Sequence, residues 1–129
     1  MAFLKCLRII ELHSISGKRV TRLEYQAYSK LAIKTMAEIL RTSHDMLSRS
    51  ELNQEHDIPS LIRCAVYHRL GTVPVGEPSI VIAVSAARRK LAFVGCETIL
   101  EEVKRKAQIW KREYYEGEKE EEAEWKANS

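Results

Sequence analysis

The run Ser79-Ile-Val-Ile-Ala-Val84 constrains this chain more than any other feature. It is continuously apolar, rich in β-branched residues and preceded by Gly76-Glu-Pro78, so it reads as a short strand rather than a helix. A strand that is apolar at every position has both faces covered and belongs in the interior of a sheet. The sequence that follows supplies one cover. Ala92, Cys96, Ile99 and Val103 recur at three- and four-residue steps along a long helix, for which Ser85 is the expected cap. A buried strand leading into an amphipathic helix points to a mixed α+β domain.

The flanking segments extend that pattern. Thr21, Leu23, Tyr25 and Ala27 alternate with Arg22, Glu24, Gln26 and Tyr28, which predicts a strand with one buried face. Ser29 then stands as the cap of a helix with apolar positions Ile33, Met36, Ala37, Leu40 and Leu47. Residues 48–60 are polar, contain Pro59 and read as a loop. Leu61 to Leu70 is a second strand with Ile62, Cys64, Val66 and His68 on one face. Gly71 to Pro78 is a hairpin-like excursion, and Ile109 to Tyr115 should form the last strand. Residues 1–15 are mixed and predict no element. The order β-α-β-β-α-β predicts an α+β fold, two main helices packed on a sheet, as a single domain over residues 1–115. Residues 116–129 form an acidic tail expected to stay solvated.

Charge divides the chain the same way. Six glutamates against two lysines from Glu116 onward make −4, so with +3 overall the first 115 residues carry +7. A basic body suits an anionic ligand or partner, and nucleic acid is the generic candidate. A basic module that docks RNA or an acidic protein would interleave aromatics with its cations on an open sheet face. Tyr25 and Tyr67 are present, but no such ribonucleoprotein-like pattern surrounds them. No apolar run approaches the ~20 residues of a membrane-spanning helix, and the start lacks the features of a secretory signal. The cysteines, Cys6, Cys64 and Cys96, are odd in number and widely spaced. They read as the reduced thiols of a cytosolic protein.

Familiar catalytic patterns are missing: no glycine-rich phosphate loop, HExxH or GxSxG occurs, and the histidines lack metal-ligand spacing. Neither a metal nor an organic cofactor is expected. What remains is a basic constellation: His68-Arg69 ending one strand, Lys104 near the end of the second long helix, and Lys111-Arg112 on the final strand. Lys104 follows Val103 of the buried stripe, so its stem should lie along apolar surface and its amine emerge at the helix end. A lysine held at a core edge among other cations can act as proton donor or nucleophile. Read from composition alone, the same residues are ordinary surface cations.

Several stretches occur in an order that resembles the large, catalytic subunit of molybdopterin synthase. They are Arg22-Leu-Glu-Tyr-Gln-Ala-Tyr28, Val66-Tyr-His-Arg-Leu-Gly71, Val75-Gly-Glu77, Ile82-Ala-Val-Ser85 and Ile109-Trp-Lys-Arg-Glu113, with Trp125-Lys126 beyond. The resemblance implies an α/β-hammerhead fold and a sulfurtransferase of molybdenum cofactor biosynthesis. It implies cyclic pyranopterin monophosphate as substrate and a small ubiquitin-like sulfur-carrier subunit as partner, whose C-terminal Gly-Gly thiocarboxylate delivers two sulfurs in turn. It implies catalytic roles for Lys104 and Lys111. The substrate pocket would contain His68, Arg69, Lys104, Lys111, Arg112 and Glu113. It further implies self-pairing of large subunits, giving a cytosolic heterotetramer that needs no nucleic acid and no membrane. A homologue that kept the fold and partner interface but not turnover would share these motifs.

The chemistry has its own need for such side chains. A cyclic phosphate calls for guanidinium forks and ammonium charges. Attack by a thiocarboxylate develops negative charge, and opening the phosphate ring requires a proton on the leaving oxygen; a lysine ammonium meets both demands. Against the family pattern, Arg88 replaces the histidine of a His-Arg pair, Gln108 replaces a proline, and the loop at 48–60 is longer. The family's early glycine and substrate-contacting arginine have no counterpart in residues 1–15, where Leu12 falls at the arginine position.

Overall fold

The computed structural model describes the backbone of residues 2–9 and, in full, residues 18–50 and 62–128. In chain order these form β1 (Ala2–Ile9), β2 (Val20–Ala27), α1 (Ser29–Arg49), β3 (Arg63–His68), β4 (Gly71–Pro74), β5 (Pro78–Ala86), α2 (Arg89–Lys106), β6 (Ile109–Tyr115) and β7 (Trp125–Ala127). A 3-10 turn, Glu120–Glu122, precedes β7. The expected order is present, with β1, β4 and β7 added to it.

The strands build two antiparallel sheets, ordered β1-β5-β3 and β4-β2-β6-β7. The apolar run lies where its composition requires, in β5, paired on one side with β1 and on the other with β3. Both helices pack on this sheet and against each other. In α2 the expected stripe is buried: Ala92, Cys96, Ile99 and Val103 face Ile82, Val84 and Leu47 in the main core. Gly95 brings α2 close, since a Cβ there would meet Leu47 Cδ1 at 2.9 Å and Val84 Cγ1 at 3.0 Å.

Helix α1 differs from its expected face. Ala32, Ile39, Ser43 and Leu47 are buried, whereas Ile33 is 64% exposed. The contact surface carries small residues, which let the backbone approach, and that leaves Ile33 and Ala37 outside. The two expected caps also differ. Ser29 is the first helical residue behind Tyr28, and Ser85 belongs to β5, with α2 beginning behind Arg88; neither helix has a side-chain cap. Much of the expected loop at 48–60, and Leu12, lie outside the described residues.

The second sheet has a core of its own, made of Val20, Leu23, Tyr25, Val73 and Ile109 with Ala32 of α1. Met36 and Ala107 pack against both cores and join the layers. The excursion after β3 crosses between sheets: β4 pairs with β2, not with β3 or β5. Gly71, at φ 81°, makes the turn into β4, a backbone conformation that favours glycine. Beyond Tyr115 the chain folds back. Gly117 turns it, and β7 adds to the edge of β6, although Glu116–Glu122 remain exposed.

Candidate functional site

The crossing between sheets positions His68. It is the last residue of β3, and the backbone N–H of Arg69 donates to the Ser79 carbonyl at 2.8 Å, holding the chain as it leaves the first sheet. The His68 ring meets Tyr25 of β2 edge-on, with centroids 4.7 Å apart and planes at 70°. Its Nδ1 is 2.7 Å from the Arg69 carbonyl oxygen; an acceptor there requires that Nδ1 carry the hydrogen. Nε2 is then a lone pair, and Asn128 Nδ2 donates to it at 3.1 Å. Burial pushes the imidazole below its ordinary value of 6.5, partly offset by the Arg69 carbonyl, so the ring is neutral near pH 7.

Strand β6 brings Lys111 to the same place. Lys111 stands directly opposite Tyr25 in the β2–β6 register, and Glu113 opposite Leu23. Because side chains alternate across a strand, Lys111 and Glu113 share the inner face with that core. The Lys111 ammonium lies 3.3 Å from Glu113 Oε1. Burial alone would raise the Glu113 carboxyl, but the Tyr115 hydroxyl that donates to it, the Lys111 ammonium and the more distant Lys126 hold it below its ordinary value of 4.5. Lys126, on β7, is the residue opposite Lys111, so a second ammonium is carried on that face.

Lys104 lies half-buried in the last turn of α2, next to fully buried Val103. The helix C-terminus favours positive charge there. Its neighbours Arg105 and Lys106 both pair with Glu102, at 3.0 and 2.7 Å. The short link Ala107-Gln108 joins Lys104's turn to Lys111's strand. Gln108 is held by Thr35, whose hydroxyl donates to its Oε1 at 2.9 Å, and by Tyr28, whose backbone N–H donates to its carbonyl at 3.0 Å.

Of the residues singled out in the sequence, the fold pairs Lys111 with Glu113 on one face of β6 and sets His68 against Tyr25, the residue opposite Lys111. Arg69 lies at the crossing, its guanidinium 3.2 Å from Glu77 and within reach of the Pro78 carbonyl at 3.4 Å. Arg112 is placed elsewhere. It projects from the opposite face of β6, where Nε donates to the Ala123 carbonyl at 2.9 Å and Nη2 to the Glu120 carbonyl at 3.3 Å. Trp125 and Tyr114 stack about it at 5.7 and 5.4 Å. A cleft of about 260 Å³ opens on that outer side between Arg22, Tyr114 and the 116–123 turn. Its lining sets Glu113, Glu116, Glu118 and Glu120 against Arg22 and Lys119, so carboxylates outnumber cations and its charge is wrong for a phosphate. The basic inner face is the stronger candidate.

Asn128 escapes sequence reasoning, hidden behind the glutamate run, while Tyr25 and Lys126 stand there only as core or motif residues with no role in a site. The one available signal was Trp125-Lys126-Ala127, a short break in the acidic composition. Among the described residues no group of three or more His, Cys, Asp or Glu is placed to hold a metal ion. No helix among them is long and apolar enough to cross a membrane. Chemically, the inner face offers ammonium groups for an anion and for proton delivery, a carboxylate that orients one of them, and a neutral imidazole.

Comparison with known proteins places this geometry in context. The sequence model of the MoaE protein family matches residues 8–106. A molybdopterin synthase catalytic subunit of Drosophila willistoni is 41% identical over 115 residues, 89% of this chain and 27% of that protein. Proteins of the same description are 43% identical in Oryza sativa subsp. indica, over 80% of this chain and 47% of the relative, and 40% identical in Pyricularia oryzae, over 90% and 56%. This chain therefore spans about a quarter to a little over half of the curated relatives it matches. Among solved structures, a molybdopterin synthase from Staphylococcus aureus superposes with a TM-score of 0.75 at 25% identity, covering 98% of this chain and 80% of that one. A complex of subunits 1 and 2 of molybdopterin-converting factor from Helicobacter pylori shares the fold, with a TM-score of 0.66 at 19% identity over 92% of this chain and 68% of its counterpart.

Proposed function

The chain belongs to the MoaE protein family, and from that premise we propose that it is the catalytic subunit of a molybdopterin synthase, a cytosolic sulfurtransferase. It would transfer two sulfurs from the thiocarboxylated Gly-Gly end of a small ubiquitin-like subunit to cyclic pyranopterin monophosphate. The observation that carries this reading is the inner face of β6, where Lys111 stands opposite Tyr25, paired with Glu113 and close to the β3 terminus that ends in His68.

Lys104 and Lys111 are the catalytic lysines. Their ammonium groups stabilise the charge that develops as the thiocarboxylate attacks, and one of them protonates the phosphate oxygen as the ring opens. Glu113 orients Lys111. Arg69 contributes a guanidinium for the phosphate, and Arg112 contributes through the C-terminal segment that it holds. His68 completes the pocket as a neutral group. The basic body accommodates the partner's extended, negatively ended tail, and large subunits pair to give a heterotetramer. Neither Cys64 nor Cys96 takes part in a disulfide.

Capture of the small subunit tests the assembly. The full chain should bind a family small subunit in solution, with affinity that falls as salt rises, because screening weakens exposed charge contacts. A partner lacking its two terminal glycines should bind more weakly and support no product. Equal product formation with the shortened partner would overturn the reading.

A further inference from the structure

The C-terminal segment ends on a polar residue that is buried where exposure is the rule. Trp125, Lys126 and Ala127 of β7 are exposed, yet Asn128, the next residue, retains only 8% of its surface. Its backbone N–H donates to the Ile109 carbonyl at 3.1 Å, and its side-chain amide reaches His68 Nε2, sixty residues back in the chain. We propose that Asn128 is a positioning residue: by donating to His68 Nε2 it holds the imidazole neutral, hydrogen on Nδ1, against Tyr25 and so beside Lys111.

Three hydrogen-bonding and packing contacts fix that ring, and each comes from a different element. Arg69 takes the Nδ1 hydrogen, Tyr25 of β2 supplies the edge contact, and Asn128 fills the Nε2 lone pair. Remove Asn128 and Nε2 is open to water, to a second tautomer and to protonation. A protonated ring would set another positive charge on the face that already carries Lys111 and Lys126 around Glu113. Like charges oppose one another there, so the added charge would disturb the pairing of Lys111 with Glu113.

The same logic gives Arg112 its place. On the outer face it grips the carbonyls of Glu120 and Ala123 and lies against Trp125, while Arg22 pairs with Glu120 at 2.8 Å. These contacts hold the segment whose next residues are Lys126 and Asn128. Arg112 therefore acts on the pocket through the strand it anchors, from the face of β6 opposite to that of Lys111. This inference rests on the proposed sulfur-transfer reading only for its effect on turnover.

The test is ¹⁵N NMR of the imidazoles in the full chain near pH 7.5, with the His68 signals identified by their loss in His68→Gln, alongside steady-state kinetics. The wild type should show a protonated Nδ1 and an unprotonated Nε2. Asn128→Asp should move the hydrogen to Nε2 or protonate the ring. Asn128→Ala and, independently, Arg112→Ala should give a tautomer mixture. In turnover, Asn128→Ala should lower kcat about tenfold while the affinity for the small subunit stays unchanged, and Asn128→Gln should restore part of it. Unchanged His68 signals in both Asn128→Ala and Asn128→Asp would overturn the proposal, as would a changed tautomer with unaltered kcat. Should the wild type itself yield no product while its His68 signals respond as stated, the contact stands and the sulfur-transfer reading falls.

Discussion

Lys111 Nζ and Glu113 Oε1 lie 3.3 Å apart on one face of β6, and each side chain keeps less than a fifth of its surface exposed. Such a pair is shielded enough to matter and open enough to be reached. Glu113→Gln is expected to lower stability at pH 7 by about 1 kcal/mol, a charge-assisted bond discounted for partial exposure. The Glu113 carboxyl is held below 4.5 in the folded chain, so its contribution is present above that value and is lost as pH falls through the folded value. Urea unfolding of wild type and variant should therefore differ at pH 7 and converge as pH falls through the folded value. A constant difference across that range would show that the charge is not the cause.

Lys104→Ala and Lys111→Ala should each reduce sulfur transfer by ~10²–10⁴ with the fold retained. Lys104 sits in the last turn of α2 and Lys111 pairs with Glu113 on β6, and neither belongs to a hydrophobic core, so truncation removes charge more than core volume. Circular dichroism and thermal unfolding would check the fold. Near-normal turnover in a folded variant would remove that lysine from the mechanism.

Gly95→Ala sets two effects against each other. Alanine is favoured over glycine in a helix by about 1 kcal/mol, but its Cβ would press on Leu47 and Val84 at 2.9 and 3.0 Å. Overpacking of that kind costs about 1–3 kcal/mol, and the residues it meets are among the most buried in the chain. The clash should win. A lower midpoint in urea unfolding is expected, and an unchanged or higher one would mean that α2 shifts freely.

Burial lowers the His68 pKa, so the unfolded chain takes up this proton before the folded one does. Its contribution to stability is present above about pH 6.5 and is lost as pH falls through the folded value. Replacing it with His68→Gln should flatten the stability profile in that window. An identical profile for the two proteins would contradict the placement of the ring.

These residues also mark what could be read from the chain before its fold was known. The α2 stripe and the β5 run were legible because one face, or both, is uniformly apolar. The face of α1 was not, because Ala32 and Ser43 make close contact by being small while Ile33 stays outside. The expected caps at Ser29 and Ser85 followed residue type, but β5 continues through Ser85 to Ala86. Lys111 and Glu113 pair on one face of β6, and His68 meets Tyr25, the residue opposite Lys111. Arg112 looked equivalent to its neighbour until strand alternation turned it to the other face. Asn128 was invisible, since its role depends on β7 pairing with β6 behind a run of glutamates.

The central claim is that this chain moves sulfur, and counting the sulfur tests it most directly. Cyclic pyranopterin monophosphate, thiocarboxylated small subunit and the full chain would be combined, with partner thiocarboxylate and dithiolene product both quantified by mass spectrometry. The account predicts two thiocarboxylates consumed for each molybdopterin formed, with loss of both signals when Lys111→Ala replaces the wild type. A folded chain that binds the partner yet consumes no thiocarboxylate above the rate without it would contradict the account and identify a non-catalytic homologue.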